Sequence, residues 1–169
     1  MRILVTGGVR SGKSTHAEAL LSDQARVRYV APGPTRDDAD WAARIAAHRS
    51  RRPAAWTTVE THDLPVAFKT DDPVLVDCLG TWLTAVVDQA GLWEAPSAEV
   101  LAHVNDLVDK ALEALGTEAV LVTNEVGLGV VPEHRSGRLF RDLLGTTNQR
   151  FAAISDEVHL VVAGRVLRL

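Results

Sequence analysis

Arg2-Ile3-Leu4-Val5-Thr6, running into Gly7-Gly8-Val9-Arg10-Ser11-Gly12-Lys13-Ser14, is the stretch whose reading decides the fold. The aliphatic run predicts a strand over Arg2 to Thr6, apolar at nearly every position as in a strand covered on both faces. The eight residues from Gly7 to Ser14 match G-x-x-x-x-G-K-[ST], and a helix is predicted over Lys13 to Leu21. Strand, glycine loop and helix in that order form the context in which such a loop cradles phosphates. Glycines let main-chain N–H groups curl around phosphate oxygens, and the helix adds its N-terminal partial positive charge. Gly7, Gly8, Val9, Arg10, Ser11, Gly12, Lys13 and Ser14 are therefore the candidate nucleotide-binding residues. Lys13 is placed to reach the β- and γ-phosphates, and the Ser14 hydroxyl to bind Mg²⁺.

Working outward, further strands are predicted over Val27 to Ala31, Val74 to Asp77, Ala119 to Thr123 and Val158 to Ala163. Thr57 to Glu60 is a weaker candidate, and Arg165 to Leu169 could add an antiparallel edge strand. Helical patterns fall between them, over Asp37 to Arg49, Thr81 to Gln89, Ser97 to Leu115 and Gly137 to Ala153. Ser97 is a plausible N-cap for the third, with Gly116 just past its end. In the last, Phe140, Leu144, Thr147 and Phe151 share one face. Alternating strands and helices predict an α/β fold with a mainly parallel sheet flanked by helices. No repeat or linker divides the chain, so residues 1–169 are expected to form a single domain.

The composition narrows the class. The chain has 169 residues, 46% hydrophobic and 24% charged, with 18 Lys+Arg against 22 Asp+Glu and a net charge of −4. That hydrophobic content suits a globular domain with a real core. The mild acidity argues against a nucleic-acid binder relying on counterion release. The longest apolar-leaning uncharged stretch, Cys78 to Val87, falls far short of the roughly 18 residues a membrane span needs. Cys78 is the single cysteine, so neither an intrachain disulfide nor a multi-cysteine zinc site can form. The N-terminus does not read as a secretory signal, because Ile3-Leu4-Val5 breaks at once into a Gly/Arg/Lys loop, and the expected compartment is the cytoplasm.

Ligands of such folds sit at the carboxyl ends of the strands. Val74-Leu75-Val76-Asp77 delivers a carboxylate there, where it can bind Mg²⁺ directly or through its coordinated water, or simply cap the next helix. Asn124-Glu125-Val126-Gly127-Leu128-Gly129 follows another strand, and Glu125 is a candidate base for an acceptor hydroxyl or a metal-shell acid. Its bland alternative is a surface-loop acid. Arg44-Ile45-Ala46-Ala47-His48-Arg49-Ser50-Arg51-Arg52-Pro53 clusters cations around a helix end. One reading is a solvated terminus with His48 packed on Trp41. The other is a polyphosphate site with His48 as nucleophile, kept neutral by its neighbouring arginines, while Arg49 and Arg52 spread the charge of departing pyrophosphate. Arg138 and Arg141 read as a solvated helix face, and His16, His62, His103, His134 and His159 as structural. From the residues alone, a small-molecule kinase leads. An ATP-hydrolysing regulatory module is the alternative, and no Asn/Thr-Lys-x-Asp motif supports a switch GTPase.

These segments, in this order, resemble the bifunctional adenosylcobinamide kinase/adenosylcobinamide-phosphate guanylyltransferase family. The matching residues are the glycine loop; Ala43-Arg44-Ile45 with His48-Arg49, Arg52-Pro53 and Trp56; Asp77-Cys78-Leu79; Val122 to Gly127 with Pro132-Glu133; and Phe140-Arg141-Asp142 with Asn148-Gln149-Arg150. The resemblance spans essentially the whole chain. It implies a RecA-like P-loop NTPase fold, a homotrimer with sites near subunit boundaries, and Mg²⁺ with ATP and GTP as substrates. It implies phosphorylation of adenosylcobinamide, then transfer of GMP from GTP to adenosylcobinamide phosphate through a guanylyl-histidine, giving adenosylcobinamide-GDP. His48 is the histidine that fits this role. Two departures stand out: Pro32-Gly33-Pro34 replaces a commonly polar loop, and Asp40-Trp41 stands where Glu-Met is frequent.

Overall fold

The computed structural model describes residues 1–33 and 53–169. The expected helix over Asp37 to Arg49 lies outside the described residues. The elements in chain order are β1 (Arg2–Gly7), α1 (Lys13–Leu20), β2 (Arg28–Ala31), β3 (Thr57–Glu60), α2 (Leu64–Ala67), β4 (Val74–Asp77), α3 (Leu79–Ala90), α4 (Ser97–Ala114), β5 (Ala119–Val122), α5 (Arg135–Ala153), β6 (Glu157–Val162) and β7 (Arg165–Arg168). Among the described residues the strands form one seven-stranded sheet in the order β3-β2-β4-β5-β1-β6-β7. All neighbours pair in parallel except β6 and β7, which pair antiparallel. The parallel core with its antiparallel edge is the expected arrangement.

Apolar strand runs follow from cover on both faces. Leu4, Val76 and Leu121 join one cluster with residues of α2, α3, α4 and α5. Ile3, Val5, Leu75, Val120 and Val122 point the other way, packing with Ala17 of α1, Leu21, Tyr29 and Trp56. Alternate residues of a strand thus serve opposite cores, as strand geometry requires. In α4, Val100, Val104, Val108 and Ala111 are buried at helical spacing. Each fully buried valine there is worth about 1.5–3 kcal/mol relative to exposure. The end of this helix is tied to β1: Arg2 donates from Nε to the Gly116 carbonyl at 2.9 Å and from its terminal nitrogen to the Leu115 carbonyl at 3.0 Å. A guanidinium also suits the negative end of the helix.

Several boundaries differ from expectation. Pro96, not Ser97, caps α4, and Ser97 is its first helical residue. Proline's fixed φ suits a helix start, so Ser97 is drawn inside. Helix α3 begins at Leu79, two residues earlier than expected, because Cys78 and Thr81 form a reciprocal cap. That cap also settles the alternative for Asp77, which does not cap the helix. The short α2 was not expected; the Asp63 carboxylate caps it by accepting from Val66 N–H at 3.1 Å. In α5 the buried face comprises Leu139, Leu143, Leu144, Thr147 and Phe151, with Phe140 only partly covered.

Candidate active site

The phosphate loop leaves β1 at Gly7 and enters α1 at Lys13. Gly12, the N-cap, has φ 95, a left-handed conformation that side chains resist. This lets the chain turn sharply while the first N–H groups of α1, which have no intrahelical carbonyl to meet, open toward a ligand. A Cβ on Gly7 would lie 2.4 Å from the Val161 carbonyl oxygen and 2.7 Å from Ser11 Oγ, so only glycine fits there. Within the loop, Ser11 N–H donates to the Gly8 carbonyl at 3.3 Å. Lys13 is 7% exposed, and its ammonium donates to the same carbonyl at 3.0 Å, holding a buried cation inside the loop. Val9 and Arg10 form the loop's outer turn, with Arg10 at φ 55. The Ser11 hydroxyl is buried and has no protein partner among the described residues.

Two other segments meet this loop, one after β5 and one after β6. The peptide N–H of Glu125 donates to the Gly7 carbonyl at 3.1 Å, so the residue after β5 lies against the first glycine. The Glu125 carboxylate accepts from Gly127 N–H. Arg141 of α5 donates to the Gly127 carbonyl at 2.8 Å and to the Gly129 carbonyl at 3.3 Å, and Arg138 donates to the Pro132 carbonyl at 3.1 Å. These two arginines lie on the solvent-facing side expected of them, Arg138 exposed and Arg141 half-buried, and from there they clamp the loop that follows Glu125. From the opposite side of the loop, the Gly164 N–H in the β6–β7 turn donates to the Ser11 carbonyl at 2.8 Å.

Asp77 ends β4, and the Tyr29 hydroxyl donates to its Oδ2 at 2.8 Å. The next residue, Cys78, donates from Sγ to Asn124 Oδ1 at 3.3 Å, joining the ends of β4 and β5. Burial pushes the Cys78 thiol pKa up, and the adjacent Asp77 carboxylate pushes it further; hydrogen bonds from Thr81 and the Lys13 charge oppose them. The thiol thus keeps the proton it donates. Lys13, Asp77, Cys78 and Asn124 form one electrostatic neighbourhood at the carboxyl edge of the sheet.

Ser14 and Asp77 offer a hydroxyl and a carboxylate, the hard oxygen donors that suit Mg²⁺. Among the described residues no group of three or more His, Cys, Asp or Glu side chains could hold a metal. A hydroxyl and a carboxylate suit a cation held by few protein ligands and completed by phosphate and water. The residues present fit Mg²⁺ carried in with a nucleotide.

The structure brings Gly7 to Ser14, Asp77 and Glu125 to one edge. His48, Arg49 and Arg52 lie outside the described residues. Tyr29 and Gly164 were not singled out from sequence, and Asn148 and Arg141 were given no role in the site there. The Asn-Gln pair late on a helix and the Ala-Gly turn before the last strand were the available signals, and neither points to its distant partner. His16 and His159, read as structural, hydrogen bond to each other at 2.9 Å. No described helix is long and apolar enough to cross a membrane.

The family model for cobinamide kinase / cobinamide phosphate guanyltransferase matches residues 3–169. The chain is 43% identical over 180 residues to the bifunctional adenosylcobalamin biosynthesis protein CobU of Salmonella typhimurium, covering 97% of each chain. It is 42% identical over 177 residues to the protein of the same description from Escherichia coli, again over 97% of each. Among solved structures it is similar in fold to a prototypical ATPase from the type III secretion system of pathogenic bacteria, with a TM-score of 0.58 and 13% identity. That likeness covers 94% of this chain and 50% of the other, and shows the fold alone. Matched from end to end by its relatives, and carrying the phosphate loop intact, the chain belongs to the cobinamide kinase / cobinamide phosphate guanyltransferase family.

Proposed function

We propose that this protein phosphorylates adenosylcobinamide and then transfers GMP from GTP to adenosylcobinamide phosphate through a guanylyl group on His48. The observation that carries the reading is family membership over residues 3–169 together with a phosphate loop whose buried Lys13 faces inward. In the kinase step the acceptor hydroxyl attacks the γ-phosphorus, the bond to the β-phosphate oxygen breaks, and the hydroxyl proton passes to Glu125. Lys13 and the N–H groups at the start of α1 neutralise charge on the phosphoryl oxygens. Bound through Ser14 and Asp77, Mg²⁺ supplies Lewis-acid neutralisation of the triphosphate.

In the second reaction a neutral His48 nitrogen attacks the α-phosphorus of GTP. The α–β bridging bond breaks, pyrophosphate leaves, and the imidazole loses its other proton. An oxygen of the corrinoid phosphate then displaces the histidine from phosphorus, and the ring regains a proton. Two displacements replace one difficult transfer between two anions. Arg49 and Arg52 spread the charge of the pyrophosphate. We assign residues 1–169 to one domain, the assembly to a homotrimer and the compartment to the cytoplasm.

The test is incubation with Mg²⁺ and α-phosphate-labelled GTP without corrinoid, comparing wild type with His48→Ala. The expected result is an acid-labile, base-stable label on wild type alone. A folded, GTP-binding wild type that takes up no label would overturn the histidine intermediate.

A further inference from the structure

Asn148 of α5 makes two hydrogen bonds to the end of β5. Its Oδ1 accepts from the fully buried Thr123 hydroxyl at 2.6 Å, and its Nδ2 donates to the Asn124 carbonyl at 3.0 Å. The first bond orients the amide, because an acceptor facing the hydroxyl turns the NH₂ group toward the main chain.

The peptide unit that Asn148 grips is the one joining Asn124 to Glu125. Its carbonyl end is held by Asn148, and its N–H end donates to the Gly7 carbonyl at 3.1 Å. A planar peptide held at both ends has little freedom left, so the Cα of Glu125 is set by α5 on one side and by the phosphate loop on the other. The Asn124 side chain extends the same bar sideways, accepting from Cys78 next to Asp77. It is packed so closely that a Cβ on Gly80 would lie 2.4 Å from its Oδ1.

We propose that Asn148 is a positioning residue for phosphoryl transfer. Through the Asn124–Glu125 peptide it fixes Glu125 relative to Gly7 and the bound nucleotide. Nothing in this chain of contacts places Asn148 on a reacting atom. The inference rests on the reading above that Glu125 takes the acceptor proton.

Asn148→Asp keeps the acceptor for Thr123 and removes the donor to Asn124. The expected result is a kcat for adenosylcobinamide phosphorylation lower by about 10- to 100-fold, the range for supporting groups around an active site. Nucleotide KM should stay within about twofold, since the loop's own contacts are intact. Thr123→Val, nearly isosteric, should lower kcat in the same direction by less and serves alone if the first variant does not fold. The decisive arm adds Glu125→Gln. If Asn148 acts through Glu125, Asn148→Asp costs under about twofold in that background, because two changes acting through one group do not multiply. Losses that multiply in the double variant overturn the route through Glu125. Full kcat in Asn148→Asp and Thr123→Val with only a lowered Tm reduces Asn148 to scaffold and overturns the proposal. Wild-type kcat in Glu125→Gln alone instead removes the underlying role of Glu125, and the route with it, whatever Asn148→Asp does.

Discussion

The Gly164 N–H donates to the Ser11 carbonyl at 2.8 Å, so the last hairpin of the chain holds the phosphate loop that follows the first strand. The turn meets the loop closely: a Cβ on Gly12 would lie 3.4 Å from the Gly164 Cα. Gly164 has φ 75, where a side chain is strained even though a Cβ would meet nothing within 4 Å. Gly164→Ala should therefore act through the backbone alone, costing about 1–2 kcal/mol and lowering Tm by about 2–8 °C. If the hairpin buttresses the loop, nucleotide Kd measured by calorimetry rises several-fold in the same variant. Unchanged nucleotide affinity beside the lowered Tm would mean that the loop keeps its shape unaided.

Lys13 is buried inside the loop with its ammonium on the Gly8 carbonyl. On the proposal that one loop serves both reactions, Lys13→Ala should depress phosphoryl and guanylyl transfer together, by about 10²–10³-fold in kcat, as for loss of one strong charge-stabilising donor. His48→Ala should abolish guanylyl transfer and spare at least part of the kinase activity. Parallel assays of both reactions in both variants check the division of labour, which equal losses in a folded His48→Ala protein would refute.

The phosphate loop was legible because its information is local: eight consecutive residues, flanked by an aliphatic strand and a helix, carry the whole signal. Asp77 was legible for the same reason, standing where three aliphatics end. Asn148 was not, since its partners Thr123 and Asn124 lie 25 and 24 positions away. The Tyr29 hydroxyl reaches Asp77 across 48 positions, from a strand that patterning reads only as apolar. Helical periodicity placed Arg138 and Arg141 toward solvent, where Arg138 is exposed, but could not show that both satisfy main-chain carbonyls of a loop that has no ladder to join. The cap of α4 was misplaced by one residue because serine's preference for that position competes with a proline already holding a suitable φ.

Two glycines separate packing from helix propensity. A Cβ on Gly80 would stand 2.4 Å from Asn124 Oδ1, in the bar between β4 and β5. Gly80→Ala should destabilise by about 1–3 kcal/mol through overpacking and also reduce kcat by displacing Asn124. Gly145 is exposed within α5, and a Cβ there meets nothing within 4 Å. Gly145→Ala should stabilise by about 0.5–1 kcal/mol and leave kcat unchanged. Urea unfolding of both variants reads the opposite signs directly. A Gly80→Ala protein as stable as wild type would show that the Asn124 side chain moves freely.

Behind the phosphate loop, His16 Nε2 lies 2.9 Å from His159 Nδ1, and His159 Nε2 lies 2.7 Å from Glu157 Oε2. Burial lowers the His16 pKa below its usual 6.5, and electrostatic repulsion from the neighbouring His159 and Arg168 lowers it further. The Glu157 pKa is also lowered from 4.5, chiefly by its hydrogen bond to His159 and then by Arg168, against partial desolvation and Asp156. The unfolded chain therefore binds a proton at His16 before the folded protein does. Stability from this site is complete above the unfolded value of 6.5 and is lost as pH falls through the lowered folded value. Glu157 adds a second loss at more acid pH, beginning near its unfolded 4.5 and ending below its folded value. Urea midpoints measured from pH 8 down to pH 5 should fall for wild type below about 6.5, and His16→Gln should flatten that fall. A wild-type midpoint constant over that range would show that the His16–His159 contact does not resist protonation.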